Sequence, residues 1–235
     1  MTAGQSAWVN TVTLESELSN QGRAVLHYKI QYPQFSGIYY QRMLGELNSI
    51  YKARAAALEQ GRVRQLYCEA TRLPVQTETE NNPNVRYDVA AAFEMGYNEN
   101  CVLSLYFDQY EFTGGAHGNT VRCSDTWNLS RGACVLLRDL FACSVNYKAY
   151  IVENVNKQIA AQSKENAGIY FDDYALKTMQ YFNDKHFYLT PEGIAIYYQQ
   201  YEIAPYSTGI PVFIIPYVPG FVLSPACPPR GQIQR

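Results

Sequence analysis

Three histidines, six cysteines and one glycine-rich turn are the residues here whose types could do more than pack. His27, His117 and His186 form no HExxH or HxxxH pair, so no helix face offers two imidazoles to a metal, and no metal site is expected. His27 lies within a strand pattern and His186 starts another, where packing or cross-strand bonding accounts for both. His117 differs, because it rides in Thr113-Gly114-Gly115-Ala116-His117-Gly118. Three glycines in five residues let the backbone take positive φ or approach another chain closely. The cluster superficially resembles a phosphate loop but lacks the lysine and the following helix. Two readings stay open: a structural turn, or a ligand or partner contact carried on a preorganised loop.

Acid–base chemistry finds little support. Asp108 and Glu111 lie three apart on one predicted strand, so their carboxylates point to opposite faces and do not converge. Asp172 and Asp173 are adjacent at a helix start, where acids favour the helix dipole. There is no GxSxG elbow, no Walker loop and no GxGxxG. No catalytic residue and no cofactor is expected. Cys68, Cys101, Cys123, Cys134, Cys143 and Cys227 match no CxxC spacing, which leaves packed thiols or up to three bridges as alternatives. Cys123 and Cys134 flank a predicted hairpin and form the first pair to test for a bridge.

A second loop spans Gln199 to Gly209. There a strand ends, Pro205 stiffens the chain, and small residues return it to the next strand. Tyr206 reads either as a packed corner tyrosine or as an exposed anchor, since rigid aromatics lose little entropy on binding.

The elements that must hold these loops follow from periodicity. Residues 9–32 alternate as extended chain until Pro33 breaks the strand. Ser36 caps a long amphipathic helix over 37–60 that Gly61 ends. Arg86 to Met95 and Cys101 to Phe112 form a hairpin around a Gly/Asn-rich turn, and Thr120 to Asn128 with Ala133 to Leu137 form another. Tyr147, Ile151, Val155 and Ile159 form an i, i+4 row that marks a second amphipathic helix after Ser144. A shorter helical stretch covers Asp172 to Phe182. Strands follow at His186 to Leu189, Ile194 to Gln200 and Phe213 to Tyr217. Clustered strands with helices between the groups argue an α+β fold: an antiparallel sheet packed by two long amphipathic helices. The expected organisation is an N-terminal subdomain over 1–112, a C-terminal subdomain over 113–223 and a disordered tail over 224–235.

Composition narrows the class. Of 235 residues, 47% are hydrophobic, which suits a globular body of one large domain or two fused ones. Nineteen basic against 21 acidic residues give a net charge of -2, without the basic excess of a nucleic-acid binder. No run of about 18 apolar residues occurs, so no segment is expected to insert in a membrane. Met1 to Asn10 show neither a basic n-region nor an apolar core, so they do not read as a signal peptide. The alternatives are a cytoplasmic protein or a piece whose targeting segment lies upstream. The 21 tyrosines are the abnormal count; they suit either a half-buried sheet or an aromatic binding surface.

The two loops also carry a family likeness. Thr113 to Asn119, then Thr126-Trp127-Asn128-Leu129 and Leu137-Arg138-Asp139-Leu140-Phe141, resemble the outer domain of RsiV-type anti-sigma factors. So do Phe187 to Gly193, Tyr198 to Tyr206 and Gly209-Ile210-Pro211. The resemblance covers roughly residues 8–218, more strongly in the second half, and makes 113–223 the RsiV-like part. It implies a non-enzymatic extracytoplasmic recognition domain whose partner is a lysozyme-like protein. Similar domains precede the catalytic domain of PdaC-type peptidoglycan deacetylases, which implies the alternative of an accessory module for cell-wall glycan. Either way the expected place is the cell surface, with the targeting or anchoring segment outside this chain. Carried over by position, Thr113, Gly114, Gly115, His117, Ala204, Pro205 and Tyr206 are the expected partner contacts.

Overall fold

The computed structural model describes residues 6–73 and 86–226. Within them the fold is mixed α+β, with a six-stranded and a three-stranded sheet. The chain divides into two compact units that interleave in sequence. One holds residues 7–93 and 107–121, the other 94–106 and the chain from 122 onward. Both therefore draw on either side of position 112.

In the unit of residues 7–93 and 107–121, alternation over the first 36 residues makes two long strands. These are β1 (Trp8–Asn20) and β2 (Arg23–Ser36), antiparallel from Trp8 opposite Ser36 to Asn20 opposite Arg23. Their turn is tight, with Gln21 and Gly22 both at positive φ, the backbone that matches strand twist. Pro33 does not end the strand: it pairs with Thr11 inside the ladder. The next strand, β3 (Tyr87–Glu99), pairs with β2 over Leu26 to Ile30, so beyond Ile30 a missing N–H is tolerated as on an edge. Asn48 instead serves the end of β2, accepting from the Phe35 N–H at 2.7 Å and donating to its carbonyl at 2.9 Å.

The β2–β3 pairing is parallel, which corrects the expected purely antiparallel sheet. Parallel neighbours need a long crossover, and the helical segment between them provides it. That segment is not one helix over 37–60. It comprises α1 (Gln41–Ala57), a π turn (Leu58–Val63) and α2 (Arg64–Ala70). Tyr40, in left-handed conformation at φ 57°, stands at the N-cap where Ser36 was expected; Ser36 is the last residue of β2. Gly61 falls inside the π turn rather than ending the helix. The wider turn re-phases the chain so that Ala55, Val63, Leu66 and Ala70 all stay in one core with Leu26, Ile30 and Val89.

Strands β4 (Val102–Phe112), β5 (Asn119–Asn128) and β6 (Ala133–Cys134) continue the sheet in the order β1-β2-β3-β4-β5-β6. The β3–β4 connection is shorter than its Gly/Asn-rich sequence suggests: Asn100 and Cys101 alone form the turn, both at positive φ.

In the other unit, α3 (Tyr147–Glu165) is the longest uninterrupted helix, so one long helix replaces the expected two. Its start is fixed by Asn146, whose side chain accepts from the Ala149 N–H at 3.3 Å. Ile151, Val155 and Ile159 are fully buried in a core with Leu189, Ile194, Ile196, Phe213 and Ile215. These last residues come from the antiparallel sheet β7 (Phe187–Leu189), β8 (Gly193–Tyr197) and β9 (Val212–Pro216). The short α4 (Tyr174–Gln180) packs on α3.

Cys68, Cys123, Cys134 and Cys143 are free thiols but exposed rather than packed, so Cys123 and Cys134, the first pair to test for a bridge, are not joined. Cys101 is disulfide-bonded. The expected tail lies outside the described residues from Cys227 onward, and Cys227 with it.

Candidate functional site

The glycine loop belongs to the unit of residues 7–93 and 107–121, the proline loop to the other. Each is a candidate site in its own right.

The glycine loop joins β4 to β5. Gly114 and Gly115 take φ of 99° and 92°, and Thr113, Gly115, Ala116 and His117 are exposed. Gly118 is buried for a different reason: a Cβ there would collide with the Tyr110 ring and the Glu111 carbonyl. Close approach, not positive φ, makes this last position a glycine. His117 donates its Nδ1 hydrogen to the Gly118 carbonyl at 2.9 Å, which turns the imidazole back onto its own loop. Glu111 is committed elsewhere, to Arg62 through a two-pronged contact of 2.7 and 2.9 Å.

The proline loop is built around a buried base. Ile203 and Ala204 are 0% and 1% exposed. Ala204 is thus a foundation residue and not the contact that its position beside Tyr206 suggests. The Phe171 N–H donates to the Ile203 carbonyl at 3.1 Å, and the Thr208 hydroxyl donates to the Ile169 carbonyl at 2.7 Å. Inside the loop the Gln199 N–H donates to Glu202 Oε2 at 2.7 Å, and Gly209 closes a short 3-10 turn over Tyr206–Thr208. Burial pushes the Glu202 carboxyl up in pKa, while the Gln199 N–H pulls it back. Beneath it, Tyr198 donates to the Thr178 carbonyl at 3.0 Å, and burial holds its phenol well above the usual range.

On this base stand two aromatic rings. Tyr201 takes φ of 66°, a conformation that costs a bulky residue energy, and the residue is 51% exposed. Tyr206 and Pro205 are half-buried, and the two tyrosine rings lie 5.9 Å apart, tilted by 32°. Sequence reading picked Tyr206 and passed over Tyr201, because nothing in Gln-Gln-Tyr-Glu-Ile announces a left-handed tyrosine. The arrangement offers ring faces and hydroxyls on a fixed backbone, while Glu202 and Gln199 are engaged by the loop itself and by β5. Gln199 accepts from the Arg122 N–H at 2.9 Å and donates to its carbonyl at 2.6 Å.

Of the remaining histidines, one packs and one makes cross-strand contacts. His186 stacks on Tyr197 at 4.9 Å with its Nδ1 buried and unpartnered among the described residues. His27 sits between Glu15 and Asp88, each at 3.3 Å. Among the described residues, no group of three or more His, Cys, Asp or Glu side chains could hold a metal ion. No helix there is long and apolar enough to cross a membrane.

The fold is that of the DUF3298 proteins. A DUF3298 family protein from Pseudomonas aeruginosa superposes with a TM-score of 0.60 over 94% of this chain and 98% of that one, at 19% identity. A member of the same family from Bacteroides fragilis gives 0.57 over 92% of each chain, also at 19% identity. In sequence, residues 138–218 match the family described as protein of unknown function DUF3298, and residues 19–120 match the family described as deacetylase PdaC. The peptidoglycan-N-acetylmuramic acid deacetylase PdaC of Bacillus subtilis is 25% identical over 207 residues, 83% of this chain. The chain spans 40% of the length of that relative. These relatives are named for a deacetylase and for a family of unknown function, not for the anti-sigma factors that the loop motifs resemble.

Proposed function

We propose that this chain is a non-catalytic, extracytoplasmic recognition module that binds cell-wall glycan through the Tyr201–Tyr206 loop. The observation that carries the reading is Tyr201 itself: a half-exposed ring held at φ 66° beside a second tyrosine, on a base whose Ile203 and Ala204 are sealed in the core. A strained aromatic displayed on a rigid base is organised for contact before any ligand arrives. Tyrosine faces stack on the C–H faces of sugar rings while their hydroxyls reach ring oxygens. Glycan is favoured over a protein partner by the likeness to PdaC, whose name describes action on peptidoglycan N-acetylmuramic acid. The same likeness supports a place at the cell wall. Thr113, Gly115 and His117 on the glycine loop are a second exposed contact surface for the same polymer.

Co-sedimentation of the intact chain with purified peptidoglycan tests the reading. Retention is expected, with about tenfold weaker binding for Tyr201→Ala, the loss of one good anchor. Absence of retention, or tight binding to lysozyme without binding to glycan, overturns it.

A further inference from the structure

In the unit of residues 7–93 and 107–121, the β1–β2 hairpin and the π turn line an open groove of about 460 Å³. Its polar walls are Glu17, Ser19, Tyr28, Glu59, Arg64 and Tyr67. Most of these groups are engaged. The Tyr28 hydroxyl donates to Glu59 Oε1 at 2.6 Å, the Tyr67 hydroxyl to the Ser19 carbonyl at 3.0 Å, and Arg86 to Glu17 at 3.0 Å. Arg64 stands apart. It is exposed at the groove, and among the described residues its guanidinium makes no ion pair or hydrogen bond.

The π turn delivers this arrangement. One extra residue in the turn keeps Val63 and Leu66 in the core, sets Glu59 against Tyr28, and starts α2 with Arg64 at the groove. Such insertions in helices recur at functional sites.

We propose that this groove is a saccharide subsite selective for sugars that carry a carboxylate. The planar fork of Arg64 matches a carboxylate with two parallel hydrogen bonds. Glu59 spends Oε1 on Tyr28, leaving Oε2 to accept from a sugar hydroxyl or an acetamido N–H. The half-buried Tyr67 ring supplies an apolar face for the pyranose. A bare inorganic anion would meet Arg64 but bring no apolar ring face to Tyr67 and would set its charge against Glu59. A sugar acid satisfies both ends of the groove. The subsite rests on the glycan reading above for its saccharide class, but it lies in a different unit from the Tyr201 loop, so failure of one is distinguishable from failure of the other.

The test is titration of the intact chain, followed by NMR, with N-acetylmuramic acid, with N-acetylglucosamine as the same ring lacking the carboxylate arm, and with inorganic phosphate. The carboxylated sugar should bind at least about tenfold more tightly than its neutral counterpart, the scale of one charge-assisted pair. Arg64→Gln, at an exposed helix position, should erase that ratio with an unchanged melting temperature, while Tyr201→Ala leaves the ratio intact. Equal binding of the two sugars, a ratio that survives Arg64→Gln, or phosphate binding as tightly as the carboxylated sugar overturns the proposal. Equal binding of the two sugars by the parent chain, with its peptidoglycan retention preserved, would strike this subsite alone.

Discussion

The hydroxyl of Tyr28 on β2 donates to Oε1 of Glu59 in the π turn at 2.6 Å, tying a core strand to the one irregular turn of the crossover helix. The Glu59 carboxylate, with burial second, pushes the Tyr28 phenol up to about 12. A raised phenol pKa means the neutral form is favoured in the folded state. Its contribution to stability is therefore complete below pH 10 and fades as pH rises from 10 through about 12. Alkaline difference spectroscopy should show one tyrosine ionising near pH 12 that vanishes in Tyr28→Phe. The variant should lose about 1–2 kcal/mol at neutral pH, because the hydrogen bond runs to a charged acceptor. A titration curve unaltered by the substitution would contradict this coupling.

Gly118 anchors the glycine loop by lacking a side chain. Gly118→Ala forces the Tyr110 ring and the Glu111 carbonyl apart and should cost about 1–3 kcal/mol, as overpacking does. Gly115→Ala meets open space and costs only the strain of its φ of 92°, roughly 1–2 kcal/mol. Adding Tyr110→Ala should recover part of the first loss and none of the second. Urea midpoints of the parent and the four variants measure this; a neutral Gly118→Ala would show that the loop is free to shift.

His186 links stability to mild acid. Burial lowers its pKa, and Nε2 accepts from the Asn183 side-chain amide at 3.2 Å, so a second proton there would break that bond. A depressed folded-state pKa means that stability present above about pH 6.5 is lost as pH falls through the folded value. His186→Phe keeps a ring against Tyr197, and its melting temperature should fall less between pH 7 and pH 5 than that of the parent. Parallel declines in both proteins would assign the acid sensitivity to carboxylates elsewhere.

Ile159 closes the α3 row against the three-stranded sheet and is fully buried. Ile159→Ala should cost about 2–5 kcal/mol, transfer plus cavity. Removal of the Asn146 cap should cost only about 1 kcal/mol. Thermal unfolding that ranks these two in the opposite order would place the weight of α3 on its terminus instead of its face.

Legibility in the sequence tracked how locally each feature is determined. The α3 row was readable because Tyr147, Ile151, Val155 and Ile159 repeat at helical spacing, and one apolar face against one sheet is all the helix needs. Pro33 and Gly61 misled for the same physical reason. Each breaks a regular element only if its backbone must make the standard bond, and here β3 stops short of Pro33 while the π turn absorbs Gly61. The parallel partner of β2 is set by a crossover of fifty residues, 37–86, which no local pattern encodes. At the proline loop, Pro205 and Tyr206 announced a bend, but small apolar Ala204 gave no sign of facing inward.

Calorimetric titration of the intact chain with soluble peptidoglycan fragments bears most directly on the aromatic loop. Saturable binding is the expected result, with Tyr201→Ala and Tyr206→Ala each about tenfold weaker and melting temperatures unchanged. Fragment binding that is undetectable in the parent, or identical in all three proteins, would contradict glycan recognition by that pair of rings.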